Sequence, residues 1–291
     1  MTRLGIVFFW LLHWLPLALL APFGRALGWL AYYLAVPRRR IALTNLRLCF
    51  PELDEAARRA LAHRHFQVLG RSLFERGLLW WSSAARLRRI VRIDGLERLA
   101  KLYEAREPVI LLVPHFVGLD AGATRLAMEI NAVSVYARQK RNPTLDRLLH
   151  HGRSRFGDQL LLTRQDGIRG TVKAMREGRP FYYLPDMDYG RKDAIFVPFF
   201  GVEAATITGL PRLARLGKAK VLPCVTRMLP GSAGYVLEIG GPWADYPTAD
   251  VEADTRRMNA WLEGVVRTMP EQYYWVHRRF KTRPEGQARL Y

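Results

Sequence analysis

Three regimes of hydrophobic and polar positions follow one another along the chain. The first is almost free of charge. Leu4 to Gly24 carries no formal charge over 21 residues, and Arg25 is the one charge between Arg3 and Arg38. About 20 such residues span a bilayer core, and Pro16 and Pro22 would kink a membrane helix without forbidding it. The stretch Arg25 to Ala35 is rich in aromatic residues, and it either finishes the span or lies in the interface. Residues 1–37 are therefore expected to form an N-terminal membrane anchor. A cleaved signal peptide fits poorly, because Pro22 would follow the small residue Ala21 at the cut. A buried helical hairpin of a soluble protein passes the same pattern test.

The second regime has a helical period. Ile41, Leu43, Leu46 and Leu48, interspersed with arginine, predict a helix over 38–50 beside the membrane. Pro51 ends it, and Asp54 is placed to cap a long amphipathic helix from Glu55 to about Ser82. That helix finishes in Leu78-Leu-Trp-Trp81, read as core or interface anchors.

In the third regime short apolar runs alternate with helical segments. Strands are expected at 90–94, 109–113, 132–136, 160–162, 181–184, 219–225 and 235–239. Helices are expected at 96–105, 121–129, 143–155, 167–177, 208–216 and 251–269. This alternation predicts an α/β fold with a mixed sheet flanked by helices, forming one body over 38–291 behind the anchor.

Charge narrows the partners. The chain of 291 residues carries 45 Lys and Arg against 26 Asp and Glu, a net charge of +19. Such an excess calls for an anionic partner: a nucleic acid, an anionic bilayer, a phosphorylated substrate or an acidic protein. Arg38-Arg39-Arg40 directly after the apolar segment puts the body on the cytoplasmic side. Cys49 and Cys224 lie in no metal-like spacing and read as free core thiols in a reducing compartment.

The chemistry concentrates after the strand at Val109–Val113. His115 lies at its C-terminal end, on the turn into a helix, where open α/β sheets hold their ligands. Asp120 stands five residues on. On one continuous helix the two side chains would diverge. With His115 on the loop and Asp120 in the first turn, the carboxylate can hold one ring nitrogen and leave the other as a base. The plainer reading is a hydrogen-bonded loop histidine and a helix-start carboxylate. A second dense segment, Pro185-Asp-Met-Asp-Tyr-Gly-Arg191, follows another strand and so falls on the same rim. It brings Asp186 and Asp188, the turn residue Gly190, and Arg191. Beyond it Phe196, Phe199 and Phe200 are candidates for an acyl channel, with Phe116, or else for core packing. Arg138, Lys140 and Arg153 offer a phosphate-binding surface beside a bilayer. Basic residues at 277–283 form no recognisable nucleic-acid module.

His115-Phe-Val-Gly-Leu-Asp120 resembles the H-x4-D/E block of the glycerolipid acyltransferase superfamily. The chain more specifically resembles the late acyltransferases of lipid A biosynthesis. The matching pieces run in order: Asn45-Leu-Arg-Leu-Cys-Phe-Pro-Glu52, Asn142-Pro143 with Asp146, Pro185 to Gly190, Phe196 to Gly201 with Ala205-Thr206, Leu213-Ala-Arg215, and Trp275 to Gly286. Two positions depart from the pattern: Asp120 where many relatives carry Glu, and Met187 where a polar residue is common.

The resemblance implies a glycerolipid acyltransferase-like fold and transfer of a fatty acyl chain from acyl carrier protein to a hydroxyl of a Kdo-bearing lipid A precursor at the inner membrane. It implies no cofactor, metal or nucleic acid. His115 would be the general base and Asp120 would fix its tautomer. Backbone N–H groups at Phe116 to Gly118 are oxyanion-donor candidates, and Arg153, Arg138 and Lys140 are candidates for oxyanion or acceptor phosphate. Two alternatives remain open at this level: a related membrane acyltransferase with a lysophospholipid or other lipid acceptor, and a non-catalytic membrane-anchored binder of anionic lipid or nucleic acid.

Overall fold

A computed structural model describes residues 3–136, 139, 142–163 and 166–291. The N-terminal apolar region is two helices, α1 (Arg3–Leu12) and α2 (Leu17–Leu34), where the sequence suggested one kinked run. The break at 13–16 follows from Pro16, which takes an extended conformation at the N-cap of α2. Arg86 holds the turn by donating to the carbonyls of His13 and Leu15. Helix α2 continues through Pro22 and is the one described helix long and apolar enough to cross a membrane.

Next come α3 (Val36–Cys49) and α4 (Glu55–Phe74), capped by Asp54, whose carboxylate accepts the Ala57 N–H at 2.7 Å. Helix α2 lies along α4 at very close range. A Cβ at Gly28 would stand 2.0 Å from the Phe66 carbonyl oxygen, and one at Gly70 would stand 2.5 Å from the backbone of Gly28. Only glycine permits that approach, so the apolar helix is seated on the body of the protein.

The long helix expected from Glu55 to Ser82 divides at Glu75, and α5 (Arg76–Trp81) begins there. Glu75 is buried. It accepts from Arg71 Nε at 2.5 Å and from the Tyr235 hydroxyl, and Arg71 also donates to the carbonyls of Leu229 and Gly231 at 3.0 and 2.8 Å. This network ties the end of α4 to the sheet.

The remaining elements are α6 (Ala84–Ile90), β1 (Val91–Asp94), α7 (Leu96–Glu104), β2 (Val109–Leu112), α8 (Leu119–Leu126), β3 (Val133–Tyr136), α9 (Pro143–Ser154), β4 (Leu160–Thr163), α10 (Gly167–Arg176), β5 (Phe181–Tyr183), β6 (Ala194–Phe199), β7 (Val202–Ile207), α11 (Gly209–Gly217), β8 (Lys220–Met228), β9 (Tyr235–Ile239) and α12 (Val251–Thr268). Seven strands form one sheet in the order β1-β9-β8-β2-β5-β3-β4. Its pairs are parallel except β8 with β9, so the expected mixed sheet is found.

The central strand β2 is buried on both faces, as its unbroken apolar run requires. Val109 and Leu111 face α7 and α8 through Leu99, Leu102 and Leu126. Ile110 and Leu112 face α10, α11 and α12 through Met175, Leu210 and Met258. Segment 196–202, read from sequence as a single apolar run, is instead the end of β6, the turn and the start of β7 in an antiparallel hairpin. The last stretch of chain packs Tyr273, Trp275, Val276 and Phe280 against α3, α4 and that hairpin. Asn45 fixes it, donating at 2.7 Å to the carbonyls of both Trp275 and His277.

Two histidines in this frame carry a pH dependence. Burial pushes His65 down to about 4, against a raising hydrogen bond to the Glu271 carbonyl. Burial and then Arg279 push His277 down to about 4. A histidine whose folded pKa lies below its unfolded one takes up more protons when unfolded. Its contribution to stability is thus full above the unfolded value near 6.5 and is lost as pH falls toward 4. Denaturant titrations of the wild type should show stability falling across that window, and His65→Gln should flatten the slope. A variant with an unaltered slope would remove His65 from the account.

Candidate active site

The site forms because β2 and β5 are neighbours. Both are parallel, so the loops at their C-terminal ends emerge side by side. The loop after β2 carries His115 and the loop after β5 carries Asp186. Asp186 Oδ1 lies 2.6 Å from His115 Nδ1, and Oδ2 accepts the His115 backbone N–H at 2.9 Å. One carboxylate thus clasps both the ring and the main chain of the histidine. Asp186 is 2% exposed, while the His115 side chain keeps 18% of its surface open. Burial alone pushes the Asp186 carboxyl up. The charge of His115, its two hydrogen bonds and Arg279 outweigh this and hold the group below the ordinary carboxylate range. An ionised Asp186 keeps the proton on Nδ1, which leaves Nε2 as the ring nitrogen with a free lone pair.

The partner expected from sequence is elsewhere. Asp120 sits in the first turn of α8 as predicted, but its carboxylate turns to two arginines. Oδ2 is 2.8 Å from Arg76 Nη2, and Oδ1 is 3.8 Å from Arg153 Nη2. Burial raises the Asp120 carboxyl, yet Arg76, Arg153 and then His115 together bring it below its usual value. Asp120 therefore stands within the electrostatic reach of His115 without supplying the hydrogen bond to Nδ1. The reason is steric as well as electrostatic. Helix α8 is drawn tightly onto β8, where a Cβ at Gly122 would stand 1.9 Å from Thr226 Oγ1, and this fixes the direction of its first turn. Arg76, at the start of α5, lies far from His115 in the sequence. The signal available was an isolated Glu75-Arg76 pair inside an apolar run.

The loop is braced by the chain's last segment. Tyr274 donates its N–H to the His115 carbonyl at 3.0 Å, and Val117 donates to the Gln272 carbonyl at 2.9 Å. Gln272 in turn pairs its side chain with the N–H and carbonyl of Met228 on β8. Two of the three backbone N–H groups proposed as oxyanion donors are consequently engaged: Val117 with Gln272, and Phe116 with the Pro114 carbonyl at 2.9 Å. The third, Gly118, is buried against Thr226, and the guanidinium of Arg153, 37% exposed, lies 3.8 Å from Asp120. Arg138 and Lys140 lie outside the described residues.

Asp188 does not face His115. Its Oδ1 accepts from Gly190 N–H at 2.9 Å and from Thr282 Oγ1 at 2.8 Å, and its Oδ2 accepts from Thr282 N–H at 2.6 Å. Its own N–H donates to His277 Nε2 at 3.0 Å. The loop carrying Asp186 is thereby laced to the C-terminal segment, and Arg191 reaches the same segment through the Arg283 carbonyl at 2.7 Å. Phe116, Phe199 and Phe200 are buried in the core around Tyr273 and Trp275, while Phe196 is half-buried beneath Arg191. The first three are enclosed by protein side chains, so an acyl chain would have to displace core contacts to reach them. Both cysteines are buried and free, and burial pushes Cys224 up to about 12 and raises Cys49 well above its usual value. Neither is a thiolate near neutrality.

This geometry stands in a recognisable sequence context. The family model for bacterial lipid A biosynthesis acyltransferases matches residues 1–282. The chain belongs to that family. It is similar to the lipid A biosynthesis lauroyltransferase of Escherichia coli K12, with 38% identity over 98% of this chain and 93% of the relative. It is also similar to the palmitoleoyltransferase of the same strain, at 33% identity over 100% of this chain and 94% of the relative. The myristoyltransferase of that strain is 33% identical over 93% of this chain and 83% of its own length. The protein is thus an acyltransferase of lipid A biosynthesis, and the histidine rim is the place to look for its chemistry.

Proposed function

We propose that this acyltransferase moves a fatty acyl chain from acyl carrier protein to a hydroxyl on a hydroxyacyl chain of a Kdo-bearing lipid A precursor. The observation that carries the mechanism is the 2.6 Å contact between His115 Nδ1 and the buried Asp186 carboxylate. A hydroxyl is a poor nucleophile near neutrality and needs a base within hydrogen-bond reach as it attacks. His115 Nε2 takes the hydroxyl proton while the oxygen adds to the thioester carbonyl. Asp186 holds the ring in the tautomer that makes Nε2 the base and stabilises the imidazolium that forms. The oxyanion is stabilised by donors at the site, with Arg153 the side-chain candidate. Collapse of the intermediate expels the carrier thiolate, which takes the proton back from His115. Asp120 serves the same step indirectly, holding Arg76 and Arg153 at the edge of the site. With both thiols buried and protonated, no acyl-cysteine intermediate is invoked.

The N-terminal helices serve in this reading as the membrane anchor of residues 1–37, with the body of residues 38–291 on the cytoplasmic side of the inner membrane. Support comes from their outer faces, where Leu4, Trp14, Phe23, Trp29 and Leu34 are exposed. The inner face of α2 is occupied by α4, whose Arg59 and Arg64 face water. An α2 that crossed the bilayer would take these charges with it. These charges favour insertion of the outer face into the interfacial layer over a single crossing, the two arrangements the apolar run leaves open.

The test is a mass spectrum of lipid A from cells with and without the gene. Loss of one acyl increment on deletion, restored by the wild type, is the expected result. Unchanged lipid A would overturn the assigned acceptor.

A further inference from the structure

A second group of cations lies next to the loop that carries Asp186. The loop after β5 and the C-terminal segment border an open groove of about 320 Å³ lined by Arg191, Lys281, Arg283, Arg289 and one acid, Glu285. Arg191 and Arg283 are held in place, while Lys281 and Arg289 reach into solvent. Arg191 is bonded to the Arg283 carbonyl and rests 5.7 Å from the Phe196 ring centroid. Arg283 donates to the Glu203 carbonyl and to Gln287 Oε1, and its Nε is buried without a partner among the described residues. Lys281 Nζ is 3.9 Å from Asp188 Oδ1, but that carboxylate already accepts three shorter hydrogen bonds. Among the described residues no carboxylate lies within ion-pair distance of Arg191, Arg283 or Arg289.

Four like charges around one groove repel one another, and one acid offsets only part of that cost. An anion in the groove would relieve it through charge-assisted hydrogen bonds, with guanidinium forks suited to planar carboxylate and tetrahedral phosphate oxygens. The volume suits one anionic head group rather than a protein surface. The groove also joins the catalytic loop directly. Thr282 on its wall holds Asp188, two residues from the Asp186 that clasps His115.

We propose that this groove is the subsite for a phosphate- or carboxylate-bearing head group of the acyl acceptor, held while the acceptor's hydroxyl reaches His115. The proposal rests on the acyl-transfer reading above. Arg191 and Arg289 are exposed, so the double variant R191Q/R289Q should retain the fold.

The experiment compares full-length wild-type and R191Q/R289Q enzyme with an acyl-carrier-protein donor and a phosphorylated lipid A precursor. The KM for acceptor should rise by about 10- to 100-fold, the effect of losing charged hydrogen bonds. The kcat at saturating acceptor and the KM for donor should stay within a few-fold, and R191K/R289K should recover part of the loss. An unchanged acceptor KM overturns the proposal. So does a rise confined to the donor KM, which would assign the cations to the acidic carrier protein, or a loss confined to vesicle binding, which would assign them to bulk phospholipid. A readout independent of turnover separates this idea from the acyl-transfer reading. Inorganic phosphate should show 31P line broadening with the wild type and not with the double variant, whether or not lipid A is the acceptor. Equal broadening by both proteins would overturn the anion site alone.

Discussion

His115→Ala should fold, remain bound to membranes, and lose acyl transfer by about 10²- to 10⁴-fold, the contribution typical of a positioned general base. The fold should survive because the side chain lies at the rim and its main chain keeps the bond from its N–H to Asp186. The buried Asp186 loses one donor, however, so a modest loss of stability of about 1–3 kcal/mol is expected. His115→Gln separates the two effects. Its amide can still donate toward Asp186 but cannot accept a proton, so it should be better folded and equally inactive. The measurement is turnover of acyl carrier protein thioester with acceptor, followed by mass spectrometry of the product. Near-normal turnover in either folded variant would sink the assignment of the base.

What the sequence could show of this site was its local half. The run Val109–Val113 between two prolines announced a buried strand, and that alone put His115 on the ligand-bearing edge of a sheet. Its true hydrogen-bond partner stands 71 residues away and depends on β2 pairing with β5, a fact of topology that no spacing encodes. Asp120 is close to His115 in sequence, while Arg76 comes to the site from a remote part of the chain.

The same divide runs through the rest of the chain. The amphipathic and alternating segments were legible because one period fits one element. Segment 196–202 was not, since the apolar positions of β6 and β7 lack the polar alternation that marks a hairpin. The basic run at 277–283 forms no recognisable module in sequence, yet Arg279 is buried in the core. It donates at 2.9 Å to the Ala205 carbonyl and at 2.9 Å to Thr206 Oγ1. A cation chosen for two acceptors on another element looks, in one dimension, like any other surface charge. The division of the apolar N-terminus into α1 and α2 was written at Pro16. The seating of α2 on α4 was written in Gly28 and Gly70, whose meaning appears only when the two helices meet.

Asp186→Asn against Asp120→Asn is the comparison that decides which carboxylate serves the histidine. Asp186 accepts two donors from His115, the backbone N–H and Nδ1–H. Asparagine offers one oxygen and one NH2 group, so it cannot accept both. If its oxygen keeps the backbone bond, its NH2 faces Nδ1 and favours the tautomer with the proton on Nε2. The base is then lost although the shape is kept, and kcat should fall by about 10³- to 10⁴-fold, as for an orienting carboxylate in a catalytic triad. In Asp120→Asn the His115–Asp186 pair is untouched. What changes is the charge that holds Arg76 and Arg153, so a smaller loss is expected, with the acceptor or oxyanion contacts weakened rather than the base removed. The two variants should therefore rank with Asp186→Asn far the worse in kcat, at unchanged thermal stability for Asp120→Asn to within about 1 kcal/mol. The opposite ranking would mean that the carboxylates exchange roles once substrate is bound, with Asp120 turning from its arginines to the imidazole.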